Sequence, residues 1–248
     1  MNPSGQVALI TGAASGIGRA SARLLAEHGA HVVVADVDEA GGRETVELIA
    51  SHGGSAEWLR LDVSDPAALE WAFDDVTARH GALDILHNNA AIMSGPPEFP
   101  DMYGGRVAAM VNVNVTGPAV ATMLAIRRMA QTGGGVVINM SSTSAAMPDA
   151  AAAEHDPIYA MTKAAVKFFS EAMAPYADSH GVRVNVILPG AVATPIIDKT
   201  GGGRPAQWLV GLLDQVALLP AERIAETVLE LVLDDTRAGE AVVVANGS

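Results

Sequence analysis

Seven short apolar runs alternate with longer helical patterns along the 248-residue chain, and that alternation restricts the fold more than any single motif. "VALIT" (7–11), "HVVVAD" (31–36), "AEWLRLDV" (56–63), "DILHNN" (84–89), "VVINMS" (136–141), "VRVNVIL" (182–188) and "AVVVA" (241–245) read as strands. Most are continuously apolar, as strands covered on both faces must be. Between them, 17–28, 39–52, 66–80, 106–130, 159–178 and 221–233 read as helices. Gly29 is placed to close the first, and Asp65-Pro66 opens the third with an N-cap and a proline at N1. Strand–helix alternation with right-handed crossovers gives an α/β fold built on a parallel, doubly wound sheet. The expectation is one domain over 1–248, a seven-stranded parallel sheet with helices on both faces.

Composition removes several classes of function. The net charge is −13 with no basic run, which excludes a nucleic-acid backbone as partner. Without cysteine there is no disulfide, thiol nucleophile or thiolate metal site. The histidines are scattered, so no metal is expected. The N-terminus lacks the pattern of a signal peptide and no apolar run looks long enough for a bilayer. A soluble, cytoplasmic protein without a membrane partner is expected.

In doubly wound sheets, ligands bind beyond the carboxyl ends of the strands. The chemically suggestive residues all stand there: Gly12 after the first strand, Asp36 at the end of the second, Asp62 at the third, Asn89 at the fourth, Ser142 after the fifth and Pro189-Gly190 after the sixth. "TGAASGIG" (11–18) joins the first strand to the first helix. Gly12 permits the tight turn, Gly16 lets a pyrophosphate approach, and Gly18 lets helix and strand pack closely. The helix N-terminus offers N–H donors and its positive dipole end to the phosphates. A glycine-rich turn alone would be weak evidence; with a strand before and a helix after, it points to a dinucleotide. Asp36 follows Gly18 at the spacing of a ribose-binding carboxylate, which would repel a 2′-phosphate. Residues 13–15 and Val37 supply no cation to offset it, so NAD is favoured over NADP.

With "NNAA" (88–91), "NVTG" (114–117), "NMSS" (139–142), "YAMTK" (159–163) and "PGAVAT" (189–194), the chain resembles the short-chain dehydrogenase/reductase family almost end to end. Within it, "INMSS", the proline two before Tyr159 and "LVLDD…GEAVVV" look most like the NAD-dependent 15-hydroxyprostaglandin dehydrogenase group. The resemblance implies a Rossmann-type fold and hydride transfer between NAD and a secondary alcohol or ketone. It implies Tyr159 as general acid/base, Lys163 as its partner and holder of the nicotinamide ribose, Ser142 as oxyanion donor and Asn114 as part of a proton relay. It also implies that Gly12, Ser15, Gly16, Ile17 and Gly18 cradle the cofactor. Asp62 and Val63 would flank adenine, Asn89 the adenosine side, and Val192 and Thr194 the carboxamide. A homodimer or homotetramer is implied as well.

Tyr159 and Lys163 are four apart, one helix face. A lysine cation about 4 Å from a phenol favours phenolate by ~4 kcal/mol at an effective dielectric of about 20, or about three pKa units. Sixteen residues separate Ser142 from Tyr159, more than the family usually places there, and Ser141 and Ser144 stand as alternatives. Ala91 replaces a usual glycine. Asp156, three before Tyr159, either meets a polar group of the substrate or lies at a solvated loop tip. Pro118 cannot donate to the Asn114 carbonyl, so helix 106–130 should kink there. Met93, Met147, Ile196 and Trp208 could line an apolar pocket beside a lid hinge, "TGGGRP" (200–205). Trp58 and Trp71 read as packing residues, Glu222, Glu226 and Glu230 as a solvated face, and Phe169 and Met173 as core or subunit contacts. Two other functions fit less well: an NADPH-dependent ketoreductase and a catalytically silent dinucleotide sensor.

Overall fold

The computed structural model describes residues 1–146, 151–213 and 217–245, excepting the side chains of 151, 152 and 212. Seven strands form one parallel sheet: β1 (Val7–Thr11), β2 (His31–Asp36), β3 (Ser55–Arg60), β4 (Ile85–Asn88), β5 (Gly135–Met140), β6 (Val182–Pro189) and β7 (Ala241–Val244). Their order is β3-β2-β1-β4-β5-β6-β7, so the winding reverses between β1 and β4. There Ala8 lies opposite Val32 on one side and Ile85 on the other. β1, β4, β5 and β6 are buried throughout, which is why they read as unbroken apolar runs.

The helices are α1 (Gly16–Glu27), α2 (Glu39–Ser51), α3 (Pro66–His80), α4 (Gly104–Val111), α5 (Gly117–Met129), α6 (Ala151–His155), α7 (Pro157–Ala172), α8 (Tyr176–His180), α9 (Ile196–Lys199), α10 (Gln207–Leu213) and α11 (Ala221–Leu233). One core layer, with Leu9, Phe73, Leu86, Leu124 and Met129, joins the sheet to α3 and α5. The other, with Ile10, Leu25, Ile138, Val228 and Leu231, joins it to α1 and α11. Asp65 opens α3 by accepting from Ala67 and Ala68 N–H.

Several elements depart from expectation for physical reasons. β3 ends at Arg60; Leu61 N–H still reaches the Asp36 carbonyl at 2.9 Å, then Asp62 folds back to accept from Ser64. The helix expected over 159–178 breaks after α7, where Pro175 cannot continue it. The helix expected over 106–130 runs from Gly104 to Met129 but contains a π-helical turn, Asn112–Thr116, just before Pro118. Gly117 N–H bonds the Asn112 carbonyl, five residues back, so the disruption anticipated at Pro118 takes the form of a wider turn. This helix, contrary to the sequence reading, is long and apolar enough to cross a membrane; half buried and packed on α3, β4, β5 and α7, it is a core helix here. Trp71 is 57% exposed and packs little, whereas Trp58 covers Gly42 closely.

Candidate active site

The loops at the carboxyl end of the sheet enclose a cleft of about 710 Å³. Gly12, Ser15, Gly16, Ile17, Asp36, Asp62, Val63 and Asn89 line it from the β1–β4 side; Ser142, Tyr159, Lys163, Val192 and Thr194 line it from the β5–β6 side. Gly18 and Asn114 lie behind its wall. Gly12 has φ +67°, and a Cβ there would sit 2.8 Å from Ala90 Cα. A Cβ on Gly18 would sit 2.3 Å from the Gly12 carbonyl oxygen, so its part is to let α1 approach β1. Ser15 is the N-cap of α1 and makes no side-chain cap bond, leaving first-turn N–H groups to an anion. These residues fit a dinucleotide's pyrophosphate.

At the end of β2, Asp36 Oδ1 accepts from Val37 and Asp38 N–H at 2.7 and 3.0 Å, and Oδ2 from Ala14 N–H at 3.0 Å. The carboxylate is thereby fixed with acceptor capacity left for ribose hydroxyls. Sequence reasoning did not weigh the nearby Arg19. Its guanidinium is engaged by the Ala14 carbonyl and Glu44, both at 2.6 Å, and by Thr45 at 3.0 Å. Asn89 spends its amide on the Thr11 and Gly12 carbonyls, both at 3.0 Å, tying β4 to the glycine turn.

Across the cleft, α7 carries Tyr159 and Lys163. The Lys163 ammonium donates to the Met140 carbonyl at 2.9 Å, and burial pushes its pKa down to about 8. Tyr159 moves the other way from expectation. Burial, and then the Asp156 charge, push its phenol above the usual range, while a bond with Ser142 pulls it back in part. The lysine stands over the ring, 5.5 Å from its centroid. Desolvation, and not the anticipated lysine effect, leads the causes of the shift.

The three serines divide the work. Ser142 Oγ accepts from Ser144 Oγ at 2.9 Å and from Ser144 N–H at 3.2 Å, beside its bond with the Tyr159 phenol. Ser141 instead donates to the Lys163 carbonyl at 2.8 Å. The Asn114 side chain, in the π-helical turn, clamps Ile92 through both its N–H and its carbonyl at 2.8 Å and donates to Thr162 at 3.1 Å.

Asp156 fits neither expectation for it. It is fully buried, so it is no loop tip, and it caps α7 by accepting from Tyr159 N–H at 3.1 Å. The signal was legible: an aspartate before a proline, as at Asp65-Pro66. Met93, Ile196 and Trp208 line the substrate end of the cleft; Met147 lies outside the described residues. The 200–205 stretch is a closed turn, with Gly201 N–H on the Arg204 carbonyl and Ala206 N–H on Thr200 Oγ1. The histidines are less scattered than they read: His31, Glu57 and His80 gather at the opposite edge of the sheet, where Arg79 pairs with Glu57 at 2.6 Å. The Arg79 guanidinium already supplies the positive charge there.

A family model described as short chain dehydrogenase matches residues 6–203. The chain belongs to the short-chain dehydrogenase/reductase family. It is an oxidoreductase. A cis-4-hydroxycyclohexanecarboxylate dehydrogenase of Sinomonas cyclohexanicum is 35% identical over 77% of this chain and 75% of its own. A 2,5-dichloro-2,5-cyclohexadiene-1,4-diol dehydrogenase of Sphingobium indicum is 40% identical over 78% and 75%, and momilactone A synthase of Oryza sativa subsp. japonica 37% over 94% and 85%. A crystal structure of a short-chain type dehydrogenase/reductase from Mycobacterium marinum superposes with TM-score 0.87 at 28% identity, covering 98% of this chain and 95% of that one. Dehydrogenases of this family use a nicotinamide cofactor.

Proposed function

We propose that this enzyme is an NAD-dependent dehydrogenase moving hydride between the nicotinamide and a secondary alcohol carried on a ring, with Tyr159 as general acid/base. The observation that carries the reading is one cleft holding Asp36 at one end and Ser142, Tyr159 and Lys163 at the other. The cyclic substrate class is supported by two relatives named for hydroxylated six-membered rings and by apolar walls from Met93, Ile196 and Trp208. NAD rather than NADP is supported by a fixed Asp36 and by an Arg19 already paired with Glu44.

Bound in the cleft, the nicotinamide ring supplies or accepts the hydride. Gly12, Ser15, Gly16 and Ile17 would hold the pyrophosphate, Asp36 the adenosine ribose, and Asp62, Val63 and Asn89 the adenosine side. Lys163 would hold the nicotinamide ribose, and Val192 and Thr194 the carboxamide. In the reducing direction Tyr159, protonated at neutral pH as a phenol ordinarily is, gives its proton to the carbonyl oxygen. Ser142, bonded to the Tyr159 phenol, would donate to the same oxygen as negative charge develops. In the oxidising direction Tyr159 takes the alcohol proton, a step favoured by positive charge from Lys163. Asn114 serves the same machinery by holding Ile92 and Thr162 in place.

The reading includes a homodimer or homotetramer in the cytoplasm. On α7, Met161 and Phe168 lie two turns apart on one stripe, 49% and 76% exposed, an apolar face of the kind that subunits cover. The face is carried by Phe168 rather than by Phe169 or Met173; Met173 packs on the core. Screening cyclic secondary alcohols with NAD and NADP for reduced-cofactor absorbance tests the function. Turnover with NAD supports it, and tight NAD binding with no turnover across the panel would instead favour a silent sensor.

A further inference from the structure

Ile92, Met93 and Ser94, consecutive in the loop after β4, are each held by a polar side chain from a different part of the α4–α7 region. Asn114 clamps Ile92, Arg106 of α4 donates to the Met93 carbonyl at 3.1 Å, and Asp156 accepts from Ser94 N–H at 3.0 Å and Ser94 Oγ at 2.6 Å. Ile92 and Met93 form a wall of the cleft. Asp156 and Ser94 are 0% and 5% exposed, so this junction is closed to water. The other oxygen of Asp156 caps α7 at Tyr159 itself. One buried carboxylate thus joins the wall of the substrate cleft to the backbone of the tyrosine. Its three partners are two N–H groups and a hydroxyl; none neutralises the charge.

We propose that Asp156 is a positioning residue for proton transfer, stapling the Ser94 loop to the N-terminus of α7 and acting on the Tyr159 hydroxyl through its uncompensated charge. This rests on the reading of Tyr159 as the acid/base. A helix with a weaker cap could be stabilised as well by a serine or asparagine, so capping alone does not call for a charge. A buried charge is costly unless it is well bonded. Here both oxygens accept bonds, three in all, and the field falls on the tyrosine, whose phenol the Asp156 charge pushes upward.

Among the described residues, the other charged groups on α7 and on the elements around it have partners or positions of their own. On α7 itself, Lys163 bonds the Met140 carbonyl and Lys167 pairs with Glu171. Of the elements packed on it, α4 brings Arg106, held by the Met93 carbonyl, and α6 brings Glu154 and His155, both exposed, His155 stacked on Trp208. Arg127 and Arg128 sit in the last turn of α5, and Arg183 of β6 bonds carbonyls of Leu231 and Val232. Lys199 of α9 lines the same cleft, its carbonyl 3.4 Å from where a Cβ on Gly95, next to Ser94, would stand.

The test is the pH dependence of alcohol oxidation in Asp156→Asn and Ser94→Ala, with NAD affinity measured alongside. Asp156→Asn keeps a capping oxygen and loses the charge. The rising limb of its kcat profile should move to lower pH by about half a unit or more, since the charge that disfavours phenolate is gone. NAD affinity should stay within about twofold. Ser94→Ala keeps the charge and loosens the loop, so it should raise KM with the limb unmoved. An Asp156→Asn profile superimposable on wild type overturns the proposal. If Asp156→Asn does not fold, Asp156→Glu displaces the charge by one methylene, and an unchanged kcat and pH profile there overturns it equally. Tyr159→Phe separates the two readings: residual turnover in it removes Tyr159 from its role, whereas an inactive Tyr159→Phe beside an unshifted Asp156→Asn removes only Asp156.

Discussion

Lys163 Nζ stands 5.5 Å from the centroid of the Tyr159 ring, bonded to the Met140 carbonyl at the end of β5. The strand thus fixes the lysine and the lysine faces the tyrosine, so the two side chains have separable duties. Tyr159→Phe should abolish turnover while NAD affinity, by equilibrium fluorescence titration, changes by less than about threefold, because only a hydroxyl is lost. Lys163→Met should lose both turnover and affinity. Substantial turnover in Tyr159→Phe would place the acid/base elsewhere.

Asp36 is expected to set cofactor choice. Asp36→Ala combined with Val37→Arg removes a carboxylate from the 2′-position and adds a cation to it. Preference should move towards NADP by ~1–3 kcal/mol, the size of a charge-assisted bond. Comparing kcat/KM for the two cofactors reads this directly, and an unchanged ratio would assign discrimination to Arg19 or another group.

His87, in the middle of β4, is 0% exposed, neither ring nitrogen has a partner among the described residues, and burial drops its pKa to about 3. Between that value and about 6.5 the unfolded chain binds a proton that the folded chain refuses, so this contribution to stability rises with pH through the window and is lost as pH falls. His87→Leu removes it. Urea denaturation at pH 7.5 and at pH 5 should show the variant gaining about 2 kcal/mol on wild type at the lower pH, the integral of that proton difference. An equal gap at both values would mean that His87 finds a partner in solution.

Phe168→Glu puts a charge in the exposed stripe of α7. Sedimentation should show the proposed homo-oligomer falling to monomer or weakening by tenfold or more in dissociation constant, about 1.4 kcal/mol. An unaltered mass would take the proposed subunit contact off this helix.

The sheet was legible because each buried strand must be apolar, and the site because "TGAASGIG", Asp36 and "YAMTK" carry their spacing in the chain itself. What escaped reading depends on contacts between distant segments. Asp156 reads as a substrate contact or a loop tip; the Asp-Pro pair encodes its cap of α7, but nothing local encodes its bond from Ser94, far away in sequence. The rise in the Tyr159 pKa comes from enclosure by several elements, which no four-residue spacing encodes. Trp71 was read as packing from its residue type alone, and α3 turns it outward. The gathering of His31, Glu57 and His80 likewise arises only when β2, β3 and the end of α3 meet.

The π-helical turn at Asn112–Thr116 acts as a phase shifter in an otherwise continuous helix. One extra residue in a turn offsets everything before it by about 100° relative to everything after it. Arg106 and Asn114 can therefore address the cleft wall while Leu124 and Met129, on the same rod, address the sheet. Deleting a single residue there would leave the helix intact and apolar yet rotate one half out of step with the other. A chain so altered would keep its core and lose the alignment of its reactive wall, so the spacing of this segment is as much a part of the catalyst as any side chain it carries.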